Sequence, residues 1–569
     1  MRIKILTILC FLLLTIIFTF PSIFHLKDRI IGDGGDNYQF LAFQYLANKQ
    51  VNEGRFLFGW TNYWRYPVGF DFSKSYDSTL LILLGITGYR LLEDPVVVYN
   101  LSILLLLFLN SIFSYLFFNK IFKDRFVSFI GGLIYGFSFY SLARLGGHAN
   151  LIFTACFPLF LYTVLDIFNN KVDKINWILF GISISVVYLS SLQYFLLLIG
   201  SIIVLLPILI LFYPIYIKEV ATLLFKEKKN FLLSITLVSI LFLIFHLGRI
   251  KSLINGNLIY PLAGILRNVE LVNYIIPNKY LATNSSIFQN NSYNTIESAT
   301  YFGIVEILLF VSFSLLTNNQ KKLKLFLLSI FSLFMIISLG SQKIINITAP
   351  YFWLYRFFPF RGISEPARFS IVAYLILTVC VLSFLKNLQI KNKQFFLFLV
   401  FILISFERLS IRIYLSSTLN DSGFISAVRS LESNAVLDLP VFLWRNGSVY
   451  DLYSIYYDRS IVNGYIHWSG NTQDTMLFVN KLKRFECDFD RDSGSDPIVN
   501  TTGKYNVDLL QTLALYKITT IVFHKDLSWG IKECDNAVKN IKSLIGSSHN
   551  LVRIFENDRK EVYFLLSGK

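Results

Sequence analysis

Apolar runs long enough to cross a lipid bilayer recur along this chain, and they limit the folds that it can adopt. Two examples are "LSILLLLFLNSIFSYLFF" and "LLLIGSIIVLLPILILFYPIYI". A bilayer core of about 30 Å needs about 20 apolar residues in helical conformation. Charged residues make up only 15% of the chain and hydrophobic residues 54%, compared with about 25% and about 45–50% in soluble domains. We therefore predict an α-helical polytopic membrane protein.

The apolar runs predict about eleven membrane spans. They lie near 5–25, 96–118, 126–143, 151–168, 175–190, 193–217, 230–248, 300–316, 324–341, 369–385 and 395–413. The segment 79–92 is apolar but short for a span, so we expect it to lie on the membrane or dip into it. Every short basic loop then falls on the cytoplasmic side, as the positive-inside rule requires. This topology places the N-terminus inside and the C-terminus outside a membrane that we expect to be the bacterial cytoplasmic membrane.

The net charge of +16 has a simple source in this topology. Lysines and arginines collect in the short cytoplasmic loops, such as the loop with Lys120, Lys123 and Arg125. The chain has no basic stretch with interleaved aromatic residues of the kind that soluble nucleic-acid-binding surfaces carry. The charge therefore indicates membrane topology, and we expect no nucleic-acid partner.

The chain changes character after about residue 413. Residues 1–413 form the predicted membrane-embedded domain, with external loops at 26–78, 144–150, 249–299 and 342–368. In the tail, 414–569, the apolar runs shorten to strand length, and turn residues separate them. We predict a small extracytoplasmic α/β domain there. It contains Cys487 and Cys534, whose disulfide could persist outside the cytoplasm.

The first external loop contains the stretch "GDGGDNYQF", in which Asp33 and Asp36 stand among three glycines. Glycines let the backbone turn sharply where the preceding span ends. From Asp36 onward the spacing predicts a helix over 36–50, with an apolar face that suits the membrane surface. Asp36 is the N-cap of this helix by residue type, with Asp33 in the turn before it. Both carboxylates are also candidates for catalysis, and the residues alone leave the two interpretations open.

The external loops between later spans carry further polar candidates. Arg144 and His148 lie in "RLGGHANL", and Glu297 lies just before a span in "NTIESATYFG". A histidine at a helix end can be a hydrogen-bonded structural residue, a metal ligand or a proton carrier. An acidic residue before a helix is favoured by the helix dipole, even where it has no functional role.

Arginines are unusually frequent in the external loop "YRFFPFRGISEPARF". Arg361 and Arg368 are outside the membrane in the predicted topology, against the positive-inside bias. Arginine matches the geometry of phosphate oxygens bidentately, so a lipid phosphate is one predicted ligand. Pairing with Glu365 or with lipid headgroups is the alternative.

Taken in order, these motifs resemble the GT-C superfamily of membrane glycosyltransferases. The resemblance rests on "GDGGDNYQF", "WTNYWRYPVGFDF", "GGLIYGFSFYSLARLGGHANLIFTACFPLFLY", "ESATYFGIVEILL" and "RFFPFRGISEPARF". The resemblance covers about 1–410, and the tail has no matching motif. The superfamily includes protein O-mannosyltransferases and aminoarabinose transferases. The resemblance implies transfer of a sugar from a polyprenyl-phosphate carrier to a glycan, lipid or protein acceptor at the outer face.

The resemblance also implies roles for individual residues. Asp36 matches the catalytic acid, and Asp33 is a second candidate. His148 and Glu297 occupy places of further polar groups in the active site. The carrier phosphate is then held by Arg361 and Arg368, and Arg144 is a further candidate for substrate binding.

The sequence departs from the resemblance in ways that bear on cofactor use and substrate. It has Asp-Asn at 36–37, where mannosyltransferases and aminoarabinose transferases have Asp-Glu. The tail also lacks the tryptophan-aspartate signature of oligosaccharyltransferases. A divalent metal, Mg or Mn, held by Asp33 and His148 is therefore left open. A lipid or glycan flippase, another transporter and a non-catalytic scaffold are the alternative functions.

Overall fold

The chain is described from a computed structural model. The residues described are 5–75, 77–169, 173–254, 269–278, 281, 296–317, 321–340, 343–344, 347–348, 350–363, 365–411, 413–418, 421–441, 447–464, 482, 485, 487, 504–527 and 531–566. Much of the predicted external loop 249–299 lies outside the described residues.

The chain divides into two compact units. The first, called the membrane unit below, comprises Met1–Asp33, Asp77–Gly88 and Val97–Leu415. The second, called the tail unit, comprises Gly34–Tyr76, Tyr89–Val96 and Ser416–Lys569. Most of the first predicted external loop therefore belongs to the same unit as the tail.

The membrane unit is built from α-helices joined by short turns. Its helices of more than four residues are Ile5–Phe18, Thr79–Tyr89, Pro95–Phe122, Arg125–Gly136, Phe139–Arg144, Cys156–Asn169, Lys174–Ser190, Leu192–Phe212, Pro214–Lys226, Lys228–Ile254, Ile304–Leu316, Lys321–Ser338, Ser370–Asn387 and Lys393–Leu409. Two of them extend past the unit boundary at one end. Short turns include Ala149–Leu151, Phe360–Gly362 and Pro366–Phe369, and the strands are Arg29–Ile31 and the hairpin Lys343–Ile344 with Ile347–Thr348.

Each predicted span falls on a helix of the membrane unit. Among the described residues, six helical segments are long and apolar enough to cross a bilayer, and they are Pro95–Phe122, Arg125–Arg144, Ala149–Phe168, Leu192–Phe212, Lys228–Phe245 and Pro366–Asn387. The segment predicted not to cross forms an 11-residue helix, Thr79–Tyr89. At about 1.5 Å per residue this helix is much shorter than a bilayer core. The total of eleven crossings stays a prediction.

Glycines allow two helices of the membrane unit to pack closely. In "GGLIYG", a Cβ atom on Gly136 would stand 2.4 Å from Cα of Ser111 in helix Pro95–Phe122. A Cβ atom on Gly132, one turn earlier, would stand 2.9 Å from the Ser111 carbonyl oxygen. Small residues four positions apart let the two helix backbones approach closely. The resulting van der Waals contacts stabilise helix association in lipid, where the hydrophobic effect between helices is weak.

The tail unit contains a five-stranded mixed sheet, as expected for an α/β domain. The strand order is Leu551–Glu556, Lys560–Leu565, Thr520–His524, Ala435–Leu439 and Ser460–Ile461. The last three strands run parallel to one another, and the first two pair antiparallel. The helices associated with it are Ser422–Ser430, Ser448–Tyr457, Lys504–Leu515 and Asp535–Ser547. The adjacent parallel strands Thr520–His524 and Ala435–Leu439 are buried along their whole length, which explains their apolar sequences.

The predicted helix after the first span is present as Asp36–Asn52, but its apolar face does not form a membrane surface. Phe40, Leu41, Phe43 and Leu46 are all buried within the protein. The helix packs against Ser448–Tyr457 of the tail. The expectation of an interfacial helix was therefore wrong, because tail residues distant in sequence cover that face.

Two polar contacts also fix the first loop to the tail within this unit. The ammonium group of Lys49 lies 2.8 Å from Oδ1 of Asp458. The indole nitrogen of Trp64 donates to the Ser454 hydroxyl at 3.0 Å, and the Trp64 side chain is buried. These contacts explain why residues 34–76 fold with the tail rather than with the membrane helices.

The tail unit contains a disulfide between Cys487 and Cys534, with 4.3 Å between their Cα atoms. The two cysteines are 47 residues apart. In the chain-entropy model, closing a loop of this length stabilises the fold by about 4 kcal/mol.

We expect thiol reagents to leave both cysteines unlabelled when the purified protein is denatured without reductant. After reduction, both should label, whereas the free thiols of Cys10, Cys156 and Cys380 should label in the denatured protein both before and after reduction. Peptide mass analysis separates the positions, and the three free cysteines serve as internal controls. Labelling of Cys487 and Cys534 before reduction would rule out the bond.

Candidate active site

Four of the charged residues predicted from separate external loops meet in one cluster of the membrane unit. Arg144 ends the helix Phe139–Arg144, and His148 follows in the next loop. Glu297 lies in the loop before helix Ile304–Leu316, and Arg368 lies in the turn Pro366–Phe369. The structure thus brings together residues up to 224 positions apart in sequence (368 minus 144). We call these four residues the Glu297 cluster.

The carboxylate of Glu297 is the centre of this cluster. Its Oε1 atom accepts from Nη2 of Arg368 at 2.6 Å and lies 3.2 Å from Nε2 of His148. Its Oε2 atom lies 3.0 Å from Nη2 of Arg144 and accepts from Nε of Arg368 at 3.3 Å. The Arg368 fork therefore binds the carboxylate bidentately, which is the strongest geometry for this pair.

Burial makes the electrostatics of the cluster strong. The side chains of Glu297 and Arg368 are 5% and 9% exposed, and that of Arg144 is fully buried. Burial by itself raises the pKa of Glu297, but the charges of Arg144, Arg368 and His148 outweigh it and hold that pKa well below its usual range. Glu297 is therefore ionised at physiological pH.

Further contacts fix the two arginines in place. Nη1 of Arg144 donates to the carbonyl of Ile296 at 3.1 Å, and its guanidinium carbon lies 4.5 Å from the centre of the Tyr140 ring. Glu365, one of the predicted partners of the arginines, is also buried and lies near enough to act on Arg368 electrostatically. Arg144 and Arg368 thus pair with Glu297, which was not the predicted partner, and the predicted pairing of an arginine with Glu365 stays a prediction.

The other predicted residues of the membrane unit lie outside the Glu297 cluster. Arg361 is exposed in the turn Phe360–Gly362. Asp33 is also exposed, and its backbone N–H donates to the carbonyl of Gly146 at 2.9 Å. This bond fixes the N-terminal part of the first loop beside the segment that carries Arg144 and His148.

Asp36 is the first residue of the helix Asp36–Asn52 in the tail unit, and it is half-buried. Gly35, not Asp36, is the N-cap residue, so the predicted capping role was wrong. The reason is the backbone: Gly34 and Gly35 have φ values of +92° and +50°, a region that favours glycine. Asp36 lies in the first helical turn, where the helix dipole stabilises a carboxylate.

The predicted metal ligands do not form a metal site in the part of the chain that the structure describes. Within those residues, no three His, Cys, Asp or Glu side chains are arranged to hold an ion. Nε2 of His148 contacts Glu297 instead, and Asp33 is exposed. The divalent metal stays a prediction, and no chemical step is assigned to it.

A buried ion pair between membrane helices was missed by the sequence analysis. Arg408 of helix Lys393–Leu409 pairs with Glu306 of helix Ile304–Leu316, and both side chains are fully buried. Arg408 also donates to the hydroxyl of Tyr374 at 3.1 Å and to the carbonyl of Phe137 at 3.2 Å. Charges inside apolar runs, Glu306 in one helix and Arg408 next to Glu407 in the other, were the available signal, since such charges need a partner in a membrane.

A second missed cluster lies inside the tail unit. Oδ1 of Asp438 lies 2.7 Å from Nε2 of His524 and accepts from the hydroxyl of Tyr457 at 2.9 Å. Asp438 and His524 stand near the carboxyl ends of adjacent parallel strands and are fully buried. The His524 ring also lies against Tyr453, with 4.8 Å between ring centres. Polar residues within otherwise apolar strand sequences were the only sequence signal for this cluster.

Comparison with solved structures gives the class of fold. The arabinofuranosyltransferase AftD from Mycobacteria matches with a TM-score of 0.58 and 11% identity, over 99% of this chain and 40% of AftD. ArnT from Cupriavidus metallidurans, bound to undecaprenyl phosphate, matches at 0.45 and 9% identity over 99% of both chains. An Archaeoglobus fulgidus oligosaccharyltransferase in complex with Zn and sulfate matches at 0.44 and 12% identity, over 92% of this chain and 68% of its own.

The match to AftD shows that this chain has a fold similar to that of this arabinofuranosyltransferase. The chain spans about two fifths of the length of AftD. No protein-family model matches the sequence, and no curated protein matches it.

Proposed function

We propose that this chain is a membrane glycosyltransferase that moves a sugar from a polyprenyl-phosphate carrier to an acceptor at the outer face of the membrane. The observation that carries the proposal is the fold, which resembles that of an arabinofuranosyltransferase over 99% of this chain. The position of Asp36, first in the helix that follows the first span, agrees with the role that the GT-C resemblance implies. The acceptor is a surface glycan, a lipid or a protein.

Asp36 is the proposed general base. It takes the proton of an acceptor hydroxyl while the hydroxyl oxygen forms a bond to the anomeric carbon of the sugar. The bond between that carbon and the carrier phosphate breaks, and its electron pair leaves with the phosphate. Proton transfer of this kind typically contributes about 10²–10⁴ to a rate. A half-buried carboxylate can still reach an acceptor that arrives from water.

The leaving phosphate needs positive charge, and the arginines differ in their ability to supply it. Arg144 and Arg368 are buried and bound to Glu297, so this carboxylate neutralises much of their charge. Arg361 is exposed. We therefore assign the direct phosphate contact to Arg361, and we assign to the Glu297 cluster the task of holding its three loops in position.

Deletion of the chromosomal copy tests the proposed function. We expect mass analysis of surface glycans and glycolipids to show one structure that lacks a sugar, because its transfer no longer occurs. The carrier-linked sugar should accumulate at the outer leaflet, and expression of the wild-type chain should reverse both changes.

Two other results would contradict the proposal. If surface glycans and glycolipids are unchanged in the deletion strain, the chain transfers no sugar to any of them. Accumulation of the carrier-linked sugar at the cytoplasmic leaflet would instead identify a flippase, since transport would then be the missing step. Leaflet location is read by enzymatic accessibility of the sugar in sealed, oriented vesicles.

A further inference from the structure

An open cleft of about 590 Å³ lies on the tail unit, apart from the residues assigned to catalysis. It is lined by aromatic and charged side chains and a few apolar ones, namely Tyr45, Glu93, Pro95, Arg429, Ile455, Tyr456, Tyr457, Asp458 and Arg459. Ligand pockets commonly occupy about 300–1,000 Å³. The cleft is therefore large enough for more than one sugar ring.

The charged side chains that line the cleft carry no net charge, which argues against an anionic ligand. They are the guanidinium groups of Arg429 and Arg459 and the carboxylates of Glu93 and Asp458. The ammonium group of Lys49, outside the lining, is bound to Asp458. A site for a phosphate or for an acidic sugar needs an excess of positive charge. A neutral ligand with many hydroxyl groups can instead donate to the carboxylates and accept from the guanidinium groups.

Hydrogen bonds fix the polar groups of the cleft before any ligand arrives. Oδ1 of Asp458 accepts from Lys49 at 2.8 Å and from the hydroxyl of Tyr45 at 2.9 Å. These bonds, opposed by partial burial, leave the pKa of Asp458 below its ordinary value, so it is a carboxylate at neutral pH. Nε of Arg429 donates to the carbonyl of Tyr456 at 2.8 Å, and Nη2 of Arg459 donates to the carbonyl of Arg429 at 2.9 Å.

Because these side chains are already fixed, they lose less conformational entropy when a ligand binds. Asp458 is also held in the left-handed backbone region, with φ of +53°, at the end of helix Ser448–Tyr457. Helices commonly end with one residue in this conformation, so it fixes the position of Asp458 at the helix end. Aromatic rings complete the site, because they offer flat apolar faces next to a polar hydroxyl.

From the balanced charge, the fixed hydrogen-bonding groups and the tyrosines, we infer that this cleft binds a neutral oligosaccharide, which is a segment of the acceptor glycan. The faces of sugar rings would pack on tyrosine rings, and their hydroxyls would bond to Glu93 and the two arginines. Identification of the ligand as the acceptor rests on the proposed function. Binding itself does not, because it needs no donor and no transfer.

The experiment uses the full chain in nanodiscs and neutral oligosaccharides released from the envelope of the source cell. Saturation-transfer NMR identifies the fraction that binds, and titration gives its affinity. We expect Tyr456→Ala and Glu93→Gln each to weaken binding by about three- to tenfold, the range expected for a lost ring contact or hydrogen bond. Inorganic phosphate should not compete.

Matched controls come from the same unit, at exposed residues that do not line the cleft. Tyr516 and Asp558 are such residues, so Tyr516→Ala and Asp558→Asn should bind as the wild type does. Absence of binding by every fraction, equal binding by the cleft variants, or competition by inorganic phosphate would each overturn the inference. Saccharide binding by a chain that transfers no sugar would overturn the proposed function and leave the cleft assignment standing.

Discussion

Replacement of Asp36 by Asn should lower sugar transfer by a factor of about 10² or more while the protein still inserts and folds. Asparagine keeps the shape of the side chain and removes the base, and a general base contributes about 10²–10⁴ to a rate. The helix Asp36–Asn52 should persist, because a carboxylate in the first turn stabilises a helix by only about 0.3–1 kcal/mol. The measurement is transfer by purified protein in nanodiscs, with carrier binding determined separately.

Two further aspartates of the first loop serve as comparisons. Asp33→Asn should lose less activity than Asp36→Asn, since Asp33 is exposed and holds the loop through its backbone. Asp28→Asn, at another exposed position of the same loop, should keep the wild-type rate. Wild-type transfer by correctly folded Asp36→Asn protein would show that Asp36 serves only the helix, and the catalytic assignment would be wrong.

The membrane helices could be predicted from sequence because their signal is local. An apolar run of about 20 residues needs a bilayer or a large core wherever it stands. The strands of the tail also have a local signal, since the strand-length apolar runs predicted in 414–569 include Thr520–His524 and Lys560–Leu565. Each of these elements is specified by the composition of its own residues.

The grouping of the first loop with the tail could not be predicted in this way. Helix Asp36–Asn52 has an apolar face that suits either a membrane surface or a protein core. Its actual environment depends on helix Ser448–Tyr457 and on contacts such as Lys49 with Asp458, 409 residues apart in sequence. No pattern within the loop itself indicates such a distant partner.

The Glu297 cluster was partly foreseen for a physical reason. A charged residue at the outer end of a span needs either water or a partner, so Arg144, His148, Glu297 and Arg368 stood out one by one. Their mutual contacts follow from the packing of separate helices, which the sequence does not display. Glu306 and Arg408 were missed because each lies in a mostly apolar helix, and their complementarity appears only when both helices are placed.

The Glu297 cluster also makes a prediction about stability. Glu297→Gln keeps the side-chain volume but leaves Arg144 and Arg368 buried without their shared counter-charge. Breaking a buried ion pair by removing one partner typically costs about 3–5 kcal/mol. We expect the midpoint of thermal unfolding at neutral pH to fall clearly. Intrinsic fluorescence can follow unfolding because Trp177 is buried in the membrane unit.

The pH dependence separates this electrostatic role of Glu297 from simple packing. The pKa of Glu297 in the folded protein lies below its ordinary value of 4.5, so its ionised form stabilises the fold above that pH, and the stabilisation is lost as the pH falls below it. The difference in midpoint between wild type and Glu297→Gln should therefore be largest near neutral pH and shrink under acid. Glu219→Gln, at an exposed position of helix Pro214–Lys226, should unfold as the wild type does at each pH. A constant difference between Glu297→Gln and wild type from neutral to acid pH would contradict the electrostatic account, because packing alone would then explain the loss.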